Sequence, residues 1–145
     1  MPNRLNVYAD RELGAYGYEE KAWFLPHVRL NAFLEELDRQ GLHTKVKFNK
    51  AGNASRDDLL LVHTPEYIDF VQKRCAEGTG ALDQGATFAR PHMERAASHV
   101  VGAVMDATRR IIAGNASTVF IPISGFHHAF PDEARLYCLY NDPAI

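Results

Sequence analysis

Between Thr118 and Ile123 the chain reads Thr-Val-Phe-Ile-Pro-Ile, an unbroken apolar run closed by Ser124-Gly125. A strand with one wet face alternates polar and apolar side chains, whereas a strand covered on both faces has no polar side to show. The run therefore predicts a strand of a parallel sheet lying between helices. Pro122 lacks an amide hydrogen, so pairing should fail near the end of the strand. Parallel strands are joined by crossovers of about a dozen residues or more, usually helical, and the rest of the chain supplies them.

Leu5 to Tyr8 reads as a first strand leading, through Ala9-Asp10, into a long loop with Gly14 and Gly17. From Pro26, the residues Leu30, Phe33, Leu34 and Leu37 follow helical spacing, and Gly41 suits a left-handed terminus. Lys45 to Phe48 alternates polar and apolar as an edge strand does. Ser55-Arg56-Asp57-Asp58 has the form of a capping box, and Thr64-Pro65 supplies an N-cap and first helical residue ahead of Tyr67, Ile68, Val71 and Cys75. Pro91 opens a longer helix, with an inner stripe of Met93, Ala96, Ala97, Val100, Val104, Ala107 and Ile111, widened by Val101, Met105 and Ile112. Tyr137 to Ile145 reads as the start of another helix. Strands alternating with helices imply one α/β domain over residues 1–145, three-layered α/β/α around a short, mainly parallel sheet.

Composition narrows the function. With 16 basic and 18 acidic side chains the formal charge is -2, and neither sign gathers into a block, which argues against nucleic acid as a partner. Val100 to Ala113 is interrupted by Asp106, Arg109 and Arg110, so it falls short of the roughly 18 apolar residues of a membrane span. Cys75 and Cys138 form no CxxC and no metal-binding ladder, a usage that suits the reducing cytoplasm.

The chemistry-bearing segment is Ser124-Gly125-Phe126-His127-His128-Ala129, directly after the apolar strand. Ligands of open parallel sheets bind outside the carboxyl ends of the strands. Two adjacent imidazoles there can accept and donate protons near neutral pH, and Gly125 allows close backbone approach. A pair of histidines merely hydrogen-bonded in a loop is the competing reading.

This segment, with Glu133-Ala134 and Cys138-Leu139-Tyr140-Asn141-Asp142, resembles the "GG-x-HHA … EASGFC-x-x-ND" signature of the histone deacetylase superfamily. His63-Thr64-Pro65-Glu66-Tyr67-Ile68-Asp69-Phe70-Val71 is similar to the family's "H-S/T-x-x-Y-I-x-F" helix, and Arg29-Leu30 resembles its early "RL" helix start. The resemblance runs the length of the chain but matches only the amino-terminal part of such a domain. It implies an arginase/deacetylase-type fold, here incomplete, and zinc-dependent hydrolysis of an acetyl-amide. His127 and His128 would match the family's histidine dyad, Asp83 its rim aspartate that holds substrate, and Gly125, Phe126 and Tyr137 the walls of its acyl tunnel. Ser124 replaces the first glycine of the signature, and Arg135-Leu136-Tyr137 stands where the family has Ser-Gly-Phe. Leu136 in place of glycine is expected to narrow or block the tunnel.

The family's zinc ligands, an Asp-x-His pair and a second aspartate, lie downstream of the "ND" segment, and Asp-x-His does not occur in these 145 residues. The expectation is a chain that does not fully coordinate zinc, is inactive alone, and pairs the exposed edge of its Thr118–Ile123 strand with another copy or with a complementing polypeptide. The alternative is a non-catalytic module that binds a ligand or partner through the Gly125–His128 loop, or self-associates through its sheet edge. Other features have ordinary explanations. His63, His92 and His99 lack a completing carboxylate or thiol, Asp57-Asp58 and Glu35-Glu36 suit a helix start and a solvated face, and Arg109-Arg110 complements a helix dipole. Gly78, Gly80 and Gly85 form a flexible loop, and Trp23-Phe24 a core staple.

Overall fold

The computed structural model describes residues 4–17 and 25–145; the staple expected of Trp23 and Phe24 lies outside them. Three parallel strands make the sheet: β1 (Asn6–Tyr8) is central, β2 (Lys47–Asn49) pairs on one side and β3 (Val119–Phe120) on the other. Val7 stands level with Phe48 and Phe120. Neighbours at one register point the same way, and alternate residues point oppositely. Phe120 meets Phe33 of α2 (Pro26–Arg39) at 5.2 Å between ring centres, while Tyr8 hydrogen-bonds Asp106 of α5 (Met93–Ile112). Helices thus cover opposite faces of the sheet, giving the α/β/α layering.

The helix signals act locally as their chemistry dictates. The Thr64 side chain caps α4 (Pro65–Glu77), Pro65 sits in its first turn, and Gly78 ends it in the left-handed region at φ +74°. Ser55 and Asp58 form a reciprocal capping box on α3 (Arg56–Leu59). A short helix, α1 (Arg11–Gly14), stands where a long loop was expected, because the Asp10 side chain accepts from the Leu13 amide and caps it. In α5 burial stops early. Met93, Ala96, Ala97, Val100, Val101, Ala103 and Ala107 are buried, but Ile111 is exposed and Ile112 is 81% exposed.

Two expectations are corrected. The Thr118–Ile123 run forms only a two-residue strand, and Phe120 is 43% exposed rather than covered on both faces. β3 pairs with β1 alone, so its outer side has no neighbour within the sheet, and Pro122 offers no amide to prolong the ladder. The Tyr137–Ile145 segment forms consecutive turns instead of a helix start, with Arg135 and Cys138 bridged across a tight reversal.

The loop after β2 is pressed onto α5. The Ala54 amide donates to the Ser98 carbonyl at 2.9 Å, the Ser98 hydroxyl to the Ala54 carbonyl at 3.1 Å, and His99 Nδ1 lies 3.2 Å from Asn53 Oδ1. This approach requires Gly102, where a Cβ would come within 2.0 Å of the Gly52 carbonyl oxygen. Gly102→Ala should therefore destabilise the fold by about 1–3 kcal/mol, the usual cost of overpacking. Gly52→Ala, which meets nothing within 4 Å, should stay within about 0.5 kcal/mol. Urea denaturation of the two variants checks this.

Candidate functional site: the histidine loop beyond β3

After Ile123 the chain turns away from the sheet. Gly125 has φ +87°, and nothing lies within 4 Å of its would-be Cβ, so backbone conformation rather than space calls for glycine here. The turn is held from below by Asp142. Its carboxylate, on a residue only 2% exposed, accepts the Gly125 amide at 2.8 Å and the Phe126 amide at 2.7 Å. Burial raises the Asp142 carboxyl above its ordinary value, and these two amides oppose the rise. Asn141 completes the clamp by donating Nδ2 to the Ala129 carbonyl at 2.9 Å and to the His127 carbonyl at 3.3 Å.

Held this way, His127 and His128 project into solvent with ring centres 4.2 Å apart. His127 Nδ1 lies 2.9 Å from the Gly125 carbonyl oxygen. A carbonyl can only accept, so Nδ1 carries the proton and Nε2 of the neutral ring is left as an acceptor facing outward. The pair borders a concavity of about 570 Å³ with Val62, Phe130, Asn141 and Leu136.

A second tier fixes the clamp. His63, 2% exposed, places Nδ1 3.3 Å from the Pro131 carbonyl oxygen and accepts the Asn141 amide on Nε2 at 3.0 Å. Its two nitrogens therefore have opposite roles, which requires the neutral ring. Burial lowers its pKa from the ordinary histidine value, against the carbonyls of Pro131 and Phe130 that favour the cation. The Tyr67 hydroxyl donates to the Leu139 carbonyl at 2.7 Å, and the Tyr16 hydroxyl receives the Leu139 amide at 3.0 Å while donating to the Tyr137 carbonyl at 2.5 Å. Phe126 packs on Tyr16 with ring centres 4.4 Å apart and touches both hydrophobic clusters of the core.

Of the residues singled out from sequence, Gly125, Phe126, His127 and His128 lie together. Tyr137 is half-buried in the reversal beside them, with φ +70°, and donates its amide to Thr87 Oγ1 at 2.9 Å. Asp83 lies apart. Its Oδ1 accepts the amides of Gly85, Ala86 and Thr87 at 2.8–2.9 Å, and its Oδ2 accepts the Thr87 hydroxyl at 2.6 Å and the Leu136 amide at 3.2 Å. Burial alone would raise its carboxyl, but those donors outweigh it and hold the group below its ordinary value. Asp83 borders a second concavity, of about 460 Å³, with Glu133. The carboxylate thus orders its own loop and the 136 reversal.

His92 and His99 do not join His63. His99 is held by Asp10 and Asn53, and His92 lies at the start of α5. Arg109 and Arg110 reach Asp58 and Asp106, beyond any dipole role. Asn141, Asp142 and His63 carried a sequence signal only as parts of motifs, with no hint that they support the loop. Catalytic zinc takes about three protein ligands. Among the described residues no group of three or more His, Cys, Asp or Glu is placed to hold a metal, and both nitrogens of His63 are already engaged. The described residues do not by themselves make a zinc site.

Residues 25–145 match the histone deacetylase domain. The acetoin utilization protein AcuC of Staphylococcus aureus is 27% identical over 147 residues, covering 96% of this chain and 37% of that protein. AcuC of Bacillus subtilis is 32% identical over 100 residues, covering 63% and 26%. A histone deacetylase-like amidohydrolase of Pseudomonas aeruginosa is 29% identical over 110 residues, covering 75% and 29%. The crystal structure of the HDA15 HD domain superposes with a TM-score of 0.84 at 25% identity, over 98% of this chain and 42% of that one. The chain thus spans well under half the length of these relatives.

The His63 arrangement has a pH signature. A histidine whose folded pKa is depressed contributes stability that is complete above the unfolded value of about 6.5 and is lost as pH falls below it. Asp58, Asp83 and Asp106, all lowered, lose theirs only in the more acidic carboxylate range, while Asp142, raised by burial, acts in the opposite sense, so the His63 part is read from the comparison with His63→Gln. Urea unfolding should show the protein less stable at pH 5.5 than at 7.5, with a smaller difference in His63→Gln; an unchanged difference would mean that His63 is not buried neutral.

Proposed function

The chain belongs to the histone deacetylase domain family, and on that premise we propose that its Gly125–His128 loop is the proton-transfer part of a hydrolase site for acetylated amines. Zinc is the metal the family resemblance implies, and it would polarise the amide carbonyl and activate water when bound. The donors for it are not assembled among the described residues, and on this reading the chain is expected not to hydrolyse amides alone. A positioned histidine contributes roughly 10²- to 10⁴-fold, whereas enzymes typically reach about 10⁶-fold or more.

The single observation that carries this reading is the orientation of His127. Its Nδ1 is committed to the Gly125 carbonyl, which leaves Nε2 free to take a proton from an attacking water and return it to a departing amine. His128 stacks beside it at 4.2 Å and offers a second proton site. Phe126, Gly125 and Tyr137 would flank the acyl group. Asp83 would grip substrate only by giving up bonds to its own loop. The two buried free thiols, Cys75 and Cys138, suit a cytoplasmic setting.

A second reading, binding or self-association through the sheet edge, has its own observation. The β2 edge carries Lys47, a charge that discourages strand pairing, whereas β3 presents Val119 and Phe120 with no charge. Another copy or a complementing polypeptide would add its strand there.

Turnover of a fluorogenic acetyl-lysine amide with equimolar zinc should remain at background. Zinc-dependent turnover that disappears in His127→Ala would show that this chain assembles a full site. Sedimentation at micromolar concentration should show association that Phe120→Lys abolishes, and a monomer at all concentrations would remove the edge-pairing reading.

A further inference from the structure

The histidine concavity and the Asp83 concavity share two bordering residues, Arg135 and Leu136. Leu136 is 48% exposed and stands at φ +47°, followed by Tyr137 at φ +70°, a backbone region that side chains other than glycine rarely adopt. Neighbouring groups hold this reversal in place. The Leu136 amide is bonded to Asp83 Oδ2 at 3.2 Å, the Tyr137 amide to Thr87 Oγ1 at 2.9 Å, and Arg135 and Cys138 exchange backbone bonds at 3.1 and 2.9 Å. The backbone of Leu136 is thus held in an unfavourable conformation at the border of the two concavities. On one side lie His127, His128 and Asn141, and on the other the carboxylates of Asp83 and Glu133. The nearby cation, Arg135, has its guanidinium 5.4 Å over the Phe130 ring, on the histidine side.

We propose that Leu136 is a specificity-determining partition: it closes the histidine concavity off from the side that Asp83 and Glu133 border, so that a cationic tail on an amide adds nothing to its binding. This rests on the reading of the histidine loop as an amide site. Without the leucine side chain only Arg135 still borders both concavities, and one amphiphilic ligand would set its acyl end at the imidazoles and its ammonium beside Glu133.

The test uses two probes, N-butylacetamide and N-(5-aminopentyl)acetamide, titrated into the chain while the ring signals of His127 and His128 are followed by NMR. Wild type and Leu136→Met should bind both with similar affinity. Leu136→Gly, whose glycine suits the positive φ and so should fold at least as well, should bind the ammonium probe about threefold or more tightly than the neutral one. That is the scale of one partly exposed ion pair. The gain should vanish when Glu133→Gln is added. Equal affinities in Leu136→Gly, or a preference for the ammonium already present in wild type, would overturn the partition while leaving the amide site standing. If neither probe moves the ring signals in any variant, the amide-site reading fails and the partition fails with it.

Discussion

Two hydrogen bonds from one buried carboxylate set the histidine loop. Asp142 takes the amides of Gly125 and Phe126 at a point where the chain leaves the sheet and has no ladder to follow. Hydrogen bonds to a charged acceptor are worth about 1.5–3 kcal/mol each, and a buried carboxylate without them would be costly. The carboxylate therefore needs the loop as much as the loop needs the carboxylate. The exposed position of both imidazoles and the proton on His127 Nδ1 follow from that turn.

The support extends outward in tiers. Asn141 ties the carbonyls of the loop, His63 ties the Asn141 amide, and the hydroxyls of Tyr16 and Tyr67 fix the 137–139 backbone. Tyr16 follows α1, His63 lies between α3 and α4, Tyr67 is in α4 and Asn141 is in the carboxyl-terminal turns, so the support is gathered from far apart in sequence. A loop supported so widely is suited to proton transfer, where imidazole orientation matters more than acidity alone. The same chain leaves the outer edge of β3 uncharged and gathers no zinc donors among its described residues.

Much of the fold was legible in the residues. Caps at Ser55 and Thr64, the proline at 65 and the glycine at 78 act within a few residues of themselves, so sequence reveals them. The extent of β3 was not legible, since an apolar run looks the same whether or not a partner strand covers its outer side. The apolar end of α5 misled for the same reason: Ile111 and Ile112 continue the stripe past the point where anything packs on it. At the site, the histidine pair was visible as a motif after a strand. The roles of Asp142 and His63 were not, because each bonds a residue at least 16 positions away. The resemblance implies a substrate role for Asp83, and the bonds its oxygens make to its own loop and to the Leu136 amide carry no local sequence signal.

The most direct measurement is amide hydrogen exchange at Gly125 and Phe126. If Asp142 holds the loop, both amides exchange far more slowly than those of a free loop, and Asp142→Ala releases them while Ile68 and Val71 in α4 stay protected. Rapid exchange at both positions in the unaltered chain, or protection that survives Asp142→Ala, would contradict the account.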